Sequence, residues 1–525
     1  MSHYKPDPNK SVNLTIDGRP VTVPEGTTIL DAARKVKIEI PNLCNYTGLG
    51  KRAVCRLCVV ECDGRGKLLP ACANTVWEGV RVVTNNLRLL NIRKTIIELL
   101  LTNHPPECLG CIKNKKCELQ TMAADFGILK IPFRRDAADR RKPKLDGGTL
   151  VRNMTKCVKC GRCVEVCQEV QTVRAINSSH RSFGYEITTP YEQSLSEGPC
   201  IHCGQCATVC PVGAIYEHEQ NNEVRAALNK PDQQVVIQFS PSVVMAVNSE
   251  MGLPPGTITS GKLVTALKWM GFNKVLDAGA GAGITIREEK RELLERIRKG
   301  QKLPMITSCS NGFFNFVDKF YPDLRDHLPS GRKSPQLNFG SLVKARHAAS
   351  GGTNADISKI TTVSVMPCIS NKYETWQGEK KPGSPRDLDF ALTVAELVLL
   401  INEAGVNMRG LEESPFDTLS GTAETPDSSS GASSAGLEAV VETVYGSYTG
   451  KTPALPAYRE VFENQGIREA EVDLNGTKVK VLSITGLANA RILLEAVRKG
   501  ECKAAFAEIK VCSGCYGLAC MSSLK

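Results

Sequence analysis

Two stretches carry one phrase: Cys157-Val-Lys-Cys160-Gly-Arg-Cys163-Val-Glu-Val-Cys167 and Cys200-Ile-His-Cys203-Gly-Gln-Cys206-Ala-Thr-Val-Cys210-Pro211. Each spaces its thiols Cys-x2-Cys-x2-Cys-x3-Cys. A run of this kind gives three ligands to one [4Fe–4S] cluster and sends its fourth thiolate to the other. One site is therefore predicted at Cys157, Cys160, Cys163 and Cys210, and a second at Cys200, Cys203, Cys206 and Cys167. Neither a zinc site nor a disulfide framework accounts for the duplicated spacing.

The repeat follows the two-cluster bacterial ferredoxin pattern, and two further sites precede it. His104-x3-Cys108-x2-Cys111-x5-Cys117 comes after an apolar, helix-like stretch at residues 87–101. Three thiolates and one imidazole can hold a [4Fe–4S] cluster, and the neutral imidazole removes one negative charge and shifts the potential. A lone histidine is more often structural; ahead of three cysteines at this spacing, His104 reads as a ligand. Further upstream, Cys44-x10-Cys55-x2-Cys58-x13-Cys72 puts four thiolates on a loop tied down at both ends, which suits a [2Fe–2S] cluster. Zinc sites favour two short Cys-x2–4-Cys pairs, and this segment has one. Cys62 lies in the same loop and reads as a spare buried thiol. The surrounding chain predicts a small β-rich module of the β-grasp kind. Residues 12–16 alternate, Asp17-Gly18 signals a hairpin, residues 21–23 form a second strand, and Thr27-Thr28 caps a helix.

The chain has 525 residues, 42% apolar and 23% charged, an ordinary globular composition long enough for several domains. Its 22 cysteines are too few for a small disulfide scaffold, and fifteen of them fall in the runs above. No uninterrupted apolar stretch reaches the ~18–20 residues of a membrane span. The first residues show neither an apolar core nor a cleavage site, so a cytoplasmic location is expected. Lys and Arg number 66 against 55 Asp and Glu, a net +11 that by itself would suit nucleic acid. Four anionic clusters would remove roughly seven of those charges, and no nucleic-acid function is read from the total. The basic stretch from Arg134-Arg135 to Arg140-Arg141-Lys142-Pro143-Lys144 reads as a solvated linker, with a partner-docking patch as its alternative. Residues 1–215 thus hold four one-electron sites in series with no substrate chemistry between them, which is the description of a wire.

From about residue 235 the pattern becomes α/β. Strand-like runs (235–239, 274–277, 303–306, 362–366, 478–483) alternate with helical ones (261–270, 287–298, 395–404, 488–499), which predicts parallel sheet with covering helices. Residues 415–436 are rich in Ser, Thr, Gly and Asp and read as a loop. Asp277-Ala-Gly-Ala-Gly-Ala-Gly283 invites a dinucleotide reading, but Ile284 stands where the third glycine is needed.

Three cysteine-bearing strand ends remain: Thr307-Ser-Cys309-Ser310-Asn-Gly, Met366-Pro-Cys368-Ile-Ser-Asn371-Lys372-Tyr-Glu374, and Glu508-Ile-Lys510-Val-Cys512-Ser-Gly-Cys515-Tyr516. With the sites before them, and with segments such as Lys333-Ser-Pro-Gln336, they make the chain resemble the large subunit of an iron-only ([FeFe]) hydrogenase over roughly residues 10–520. Residues 1–215 are equally similar to the largest peripheral subunit of respiratory complex I; the C-terminal half favours the hydrogenase. The resemblance implies an α+β multidomain chain. It comprises a β-grasp [2Fe–2S] domain (1–85), a one-His/three-Cys domain (86–125), a two-[4Fe–4S] ferredoxin domain (126–225) and an [FeFe]-hydrogenase-like domain (226–525).

The departures from that family lie at its catalytic H-cluster. Cys309 falls on the proton-relay position of the first motif, while Ser310 takes the place of a cluster ligand. In the second motif Met366, Cys368 and Glu374 match, and Asn371 replaces the lysine that contacts the di-iron site. In the third, Cys512 matches, Cys515 comes one residue early, Tyr516 holds the bridging position and Lys510 replaces a capping methionine. A di-iron unit needs a bridging thiolate, an apolar cap and a proton donor. No complete H-cluster is therefore expected, and no catalytic residue is assigned. Cys309, Cys368, Cys512 and Cys515 can still converge on a plain iron–sulfur cluster, with Cys520 competing for a place; buried free thiols are the alternative, and Cys502 reads as one.

The resemblance then implies an electron-relay subunit of an NAD(P)-linked, electron-bifurcating complex. Its partners would be a flavin-bearing, NAD-binding subunit, a thioredoxin-like [2Fe–2S] subunit, ferredoxin, and a separate catalytic subunit such as a [NiFe] hydrogenase or a formate dehydrogenase. An active [FeFe] hydrogenase with an unusual pocket is the enzyme alternative. A hydrogenase-related assembly factor is the non-enzyme one, and Cys44–Cys72 and His104–Cys117 argue against it.

Overall fold

A computed structural model describes residues 7, 9–63, 68–133, 144–146, 148–331, 333–350, 356–377, 386–419, 440–441, 444–446, 459–460, 466–474 and 477–511. Cys512, Cys515, Tyr516 and Cys520 lie outside the described residues, as do most of the basic linker and most of residues 415–436.

Val12, Leu14 and Ile16 are buried on alternate positions of β1 (Ser11–Ile16), which pairs antiparallel with β2 (Arg19–Pro24) across the Asp17-Gly18 turn. β3 (Val59–Cys62), β4 (Leu69–Pro70) and β5 (Arg81–Val83) complete a sheet of order β2-β1-β5-β3-β4, with β1 and β5 parallel. The helix Ile29–Lys35 covers it through Ile29, Leu30, Ala32 and Ala33; Thr28 Oγ1 accepts Asp31 N–H at 3.0 Å as its cap. Cys62 is buried in the same core. The helix Leu87–Thr102 leads away and is tied back by Arg93, which donates to Leu57 O (3.1 Å) and Val59 O (2.8 Å) in the loop carrying Cys58.

The middle region is sparse in regular structure. β6 (Lys144–Asp146), β7 (Leu150–Arg152) and β10 (Ile215–Glu217) form one small sheet, and β8 (Asn177–Ser179) pairs with β9 (Glu186–Thr188).

Beyond it stand two sheets where one alternating pattern was expected. β11 (Gln234–Phe239), β12 (Lys274–Asp277), β14 (Ile360–Met366) and β15 (Phe390–Thr393) make an all-parallel sheet of order β12-β11-β14-β15. The helices Pro241–Glu250, Ser260–Trp269 and Val394–Glu403 cover one face; Phe339 and Val343 of the helix Pro335–Ser350 reach the other. The second sheet runs β13 (Met305–Thr307), β19 (Phe506–Lys510), β18 (Thr477–Thr485), β17 (Ile467–Leu474) and β16 (Arg459–Glu460). It is parallel as far as β18 and antiparallel beyond, because β17 and β18 form a hairpin too short for a crossover. β13 begins at Met305, not 303, since Pro304 has no N–H to give a ladder.

The glycine-rich stretch after β12 opens the helix Gly279–Lys299, earlier than its apolar spacing suggests. A Cβ on Gly281 would sit 2.1 Å from Pro335 O, so the small residues there let two helices touch; no nucleotide is needed to explain them. Cys309 and Cys368 follow the carboxyl ends of β13 and β14, the edge where parallel sheets present their ligand-binding loops.

Candidate metal centres

The two cysteine runs fold alike. Lys159 (φ 55) and Gly161 (φ 79) flank Cys160, and His202 (φ 56) and Gly204 (φ 73) flank Cys203. This left-handed backbone, cheap only for glycine, wraps each run around its own thiols. Lys159 N–H donates to Cys157 Sγ at 3.3 Å, and His202 N–H to Cys200 Sγ at 3.4 Å. A one-turn helix lies within each run, Arg162–Glu165 carrying Cys163 and Gln205–Thr208 carrying Cys206.

Cys157, Cys160, Cys163 and Cys210 line one pocket of about 320 Å³, with Met154, Ile187 and Ile215 as apolar walls. Burial pushes the Cys157 thiol up to about 11 and Cys160 up to about 12, and Cys210 adds to both. In the other set burial pushes Cys200 up to about 12 and drives Cys203 and Cys206 well above the usual range, with Cys167 adding to all three. The fourth thiol of each run thus faces the first three of the other. His104, Cys108, Cys111 and Cys117 line a separate pocket of about 250 Å³. Cys44 shares thiol hydrogen bonds with Cys55 and Cys72, and Cys72 with Cys58; these contacts hold Cys44 far below the usual thiol range and drive Cys55 and Cys72 far above it.

The spacing of these donors fits clusters better than single ions. Around one tetrahedral zinc at ~2.3 Å, all four sulfurs would lie about 3.8 Å apart. Among the described residues, the set of three ligand atoms that closes within 4.8 Å is His180, Glu186 and Glu192, none of them a cysteine. Among the described residues no three thiols of one set close within 4.8 Å of one another, which leaves room for iron and sulfide. A cluster so bound supplies one-electron transfer, and the buried thiols must give up their protons to hold it.

The sites are joined by shared cores. Cys55, Cys117, Cys157 and Cys210 all border one apolar cluster around Leu43, Ile97 and Val212. Arg162, 3% exposed, ties three segments together: it donates to both carboxylate oxygens of Glu118 (2.6 and 2.9 Å) and to Asn45 O (3.1 Å), and lies over the Tyr46 ring. Arg52 pairs with Glu165 at 2.8 Å alongside. The second run packs the other way. Lys319 donates to Gly198 O (2.7 Å) and Cys200 O (2.9 Å), and Phe313 and Phe316 share its core. The buried His202 ring stacks on Tyr373 at 3.9 Å; neither ring nitrogen has a hydrogen-bond partner among the described residues, and burial holds the imidazole down to about 4.

In the hydrogenase-like region, Ser310 is buried and caps the helix Asn311–Phe320. Its Oγ lies 3.2 Å from Ser370 Oγ, and Gly312 N–H donates to both, at 3.3 and 3.0 Å, so the loops after β13 and β14 meet through hydroxyls. Cys309 is exposed and Cys368 half-buried. Lys510 closes β19 beside Glu508, 3.6 Å away. Asn371 Oδ1 is buried and has no hydrogen-bond partner among the described residues. Glu374 accepts from Ser334 Oγ and Gln336 Nε2, each at 2.5 Å, and burial pushes its carboxyl up to about 7. Sequence reasoning missed Arg162 and the buried pair Lys372 and Glu396, with the half-buried Glu217 beside it, at the seam of the two halves. A charged residue bears no mark in sequence of being buried.

Family models match in the order of the sites. Residues 9–87 match a 2Fe-2S iron-sulfur cluster binding domain, 93–132 the NADH-ubiquinone oxidoreductase-G iron-sulfur binding region, and 156–214 a 4Fe-4S dicluster domain. Residues 233–517 match the iron only hydrogenase large subunit, C-terminal domain. The NADP-reducing hydrogenase subunit HndD of Solidesulfovibrio fructosivorans is 38% identical over 96% of this chain and 88% of its own. The mitochondrial NADH dehydrogenase [ubiquinone] iron-sulfur protein 1 of Solanum tuberosum is 31% identical over 40% of this chain and 28% of its own. A solved [FeFe]-hydrogenase, HydA(deltaEFG), superposes with a TM-score of 0.51 at 29% identity, covering 57% of this chain and 83% of that one. Cysteine runs, two sheets and whole-length likeness agree: the chain belongs to the iron-only hydrogenase large-subunit family, with an N-terminal iron–sulfur region like that of the largest peripheral protein of complex I.

Proposed function

We propose that this chain is the electron-relay subunit of a cytoplasmic, NAD(P)-linked, electron-bifurcating hydrogenase or formate dehydrogenase complex. In this reading the chain divides at residues 85, 125 and 225 into a β-grasp [2Fe–2S] module, a one-His/three-Cys module, a two-[4Fe–4S] ferredoxin module and a hydrogenase-like domain. Cys44, Cys55, Cys58 and Cys72 hold the [2Fe–2S] cluster; His104, Cys108, Cys111 and Cys117 hold a [4Fe–4S] cluster. The two runs hold two more, each borrowing its fourth thiolate from the other. Their walls keep water away and their amides stabilise sulfur, so the chain's own work is to position electrons, not substrate. Partners are a flavin-bearing NAD-binding subunit, a thioredoxin-like [2Fe–2S] subunit, ferredoxin and a separate catalytic subunit, a [NiFe] hydrogenase or a formate dehydrogenase.

The observation that carries the relay reading is Ser310. Where the resemblance calls for a thiolate, a buried serine caps a helix and bonds to Ser370. A second reading, an active [FeFe] hydrogenase, draws on the whole-length likeness to a hydrogenase subunit. An infrared spectrum of the anaerobic protein, made in a host carrying di-iron maturation machinery, separates the two. Protein with iron and sulfide for four clusters is expected to show no carbon monoxide or cyanide bands; their presence would overturn the relay reading.

A further inference from the structure

We infer that the seam between the dicluster region and the hydrogenase-like domain binds a proton when the neighbouring clusters are reduced, and that Glu217 holds it. The inference rests on the cluster ligation proposed above. Glu217 ends β10, two residues after Ile215 in the wall of the Cys157 pocket. Across the seam Lys372 Nζ, 3% exposed, donates to Glu396 Oε1 at 2.6 Å and to His218 O at 2.7 Å. The next residue, Tyr373, is the one stacked on His202 between Cys200 and Cys203. The group therefore lies between both runs.

Its hydrogen bonds call for a proton. Glu396, 1% exposed, accepts from Lys372 Nζ, Gln220 N–H and Thr393 N–H. Thr393 Oγ1 lies 2.8 Å from Glu217 Oε1 and 3.0 Å from Glu396 Oε2. One hydroxyl hydrogen cannot serve two carboxylates. A proton on Glu217 resolves this: Glu217 donates to Thr393 Oγ1, which donates to Glu396. Charge agrees, since Lys372 and Glu396 are buried and Glu217 is half-buried against them, and two carboxylates with one lysine leave one negative charge that burial penalises. The charged groups facing Glu217 are Lys372 and Glu396 across the seam and Lys113 of the His104 loop; Glu219, two residues on, faces Glu396 and Lys372 instead. Burial pushes Glu217 up to about 7, the charge of Glu396 adds, and Lys372 opposes.

The step balances simply. One electron from a low-potential donor, dithionite in the test, reduces a [4Fe–4S] cluster by one unit, and one proton moves from water to the Glu217 carboxylate. The added negative charge disfavours ionised Glu217, so reduction raises its affinity for the proton and the two events favour each other.

The test uses the full chain with iron and sulfide content confirmed. Dithionite titrations across neutral pH, followed by electron paramagnetic resonance, are paired with reduced-minus-oxidised infrared spectra. At least one [4Fe–4S] potential is expected to be level below about pH 7 and to fall as pH rises above it, with a carboxylic-acid C=O band growing on reduction. Glu217→Gln should abolish both, while Glu289→Gln, at another buried carboxyl, should leave both. Potentials level at every pH, or a slope that survives in Glu217→Gln, overturn the inference. If Glu217→Gln does not fold, the wild-type infrared spectrum decides, and absence of the carboxylic band overturns it. Protein lacking iron for the two runs fails before any titration, which sinks the ligation itself and this inference with it.

Discussion

The two cysteine runs share one backbone and are held in place by different forces. The first is fastened by charge: Arg162 grips Glu118 and Asn45 O, and Arg52 pairs with Glu165. The second is fastened by packing: Gly204 lies against Ile369, His202 on Tyr373, and Phe313 and Phe316 fill the space behind. A cluster-binding loop fixes its thiols with its own dihedrals and amides, so its outer side is left to whatever neighbour the chain supplies. The first run meets small modules across a small apolar cluster around Leu43, Ile97 and Val212, and ion pairs at its edge hold those modules at fixed distances. The second faces a large domain that can offer an apolar wall.

The largest test of that contrast is Arg162→Ala. It removes three charge-assisted hydrogen bonds to Glu118 and Asn45 O and the packing of a buried side chain on Tyr46. The cost should be about 3 kcal/mol, while Glu118, 41% exposed, regains water. In urea unfolding followed by cluster absorbance, the sites upstream of the first run should be lost ahead of the second; a single transition at the wild-type midpoint would contradict charge fastening.

Next is a matched pair, Gly204→Ala and Gly161→Ala. Both impose a Cβ on left-handed backbone, at about 1 kcal/mol. At Gly204 the new Cβ meets Ile369 Cβ at 2.6 Å, an atom fixed in a core; at Gly161 it meets Arg52 Nε at 2.5 Å, the end of a side chain that can swing aside. Thermal unfolding should show Gly204→Ala costing about 3 kcal/mol and Gly161→Ala about 1. Equal losses would mean that both runs are packed alike. The smallest effect is expected for Lys319→Ala, which removes the donor to Gly198 O and Cys200 O at an exposed position. About 1 kcal/mol should appear as faster amide exchange at residues 198–202 and not at 157–163; a uniform change would show that Lys319 is no local clamp.

Much of this was legible beforehand, and the reason differs by region. The strands at 12–16 and 274–277 follow from apolar periodicity, and the pairing of Cys210 with the first run and Cys167 with the second follows from a duplicated spacing. Both are local signals. The helix Pro335–Ser350 escaped the reading because it has no clean amphipathic stripe, whereas Asn311–Phe320 buries Phe313, Phe316 and Val317 on one face and was legible from that spacing. The glycines at 279–283 misled in a useful way: they invited a nucleotide, and Pro335 O and Phe339 explain them through helix contact.

The sequence by itself determined the number and order of the thiol sets and placed a serine at 310, because ligand chemistry depends on residue type and short spacing. Only the tertiary structure decided what stands between the sets. Arg162 reaches Glu118 and Asn45, Lys372 reaches Glu396 and His218, and His202 reaches Tyr373, in each case across a long stretch of chain. Whether such a polar group is buried, and therefore whether it must be paired or protonated, is set by the neighbours that exclude water from it. Those neighbours come from distant parts of the chain, and no local pattern encodes them.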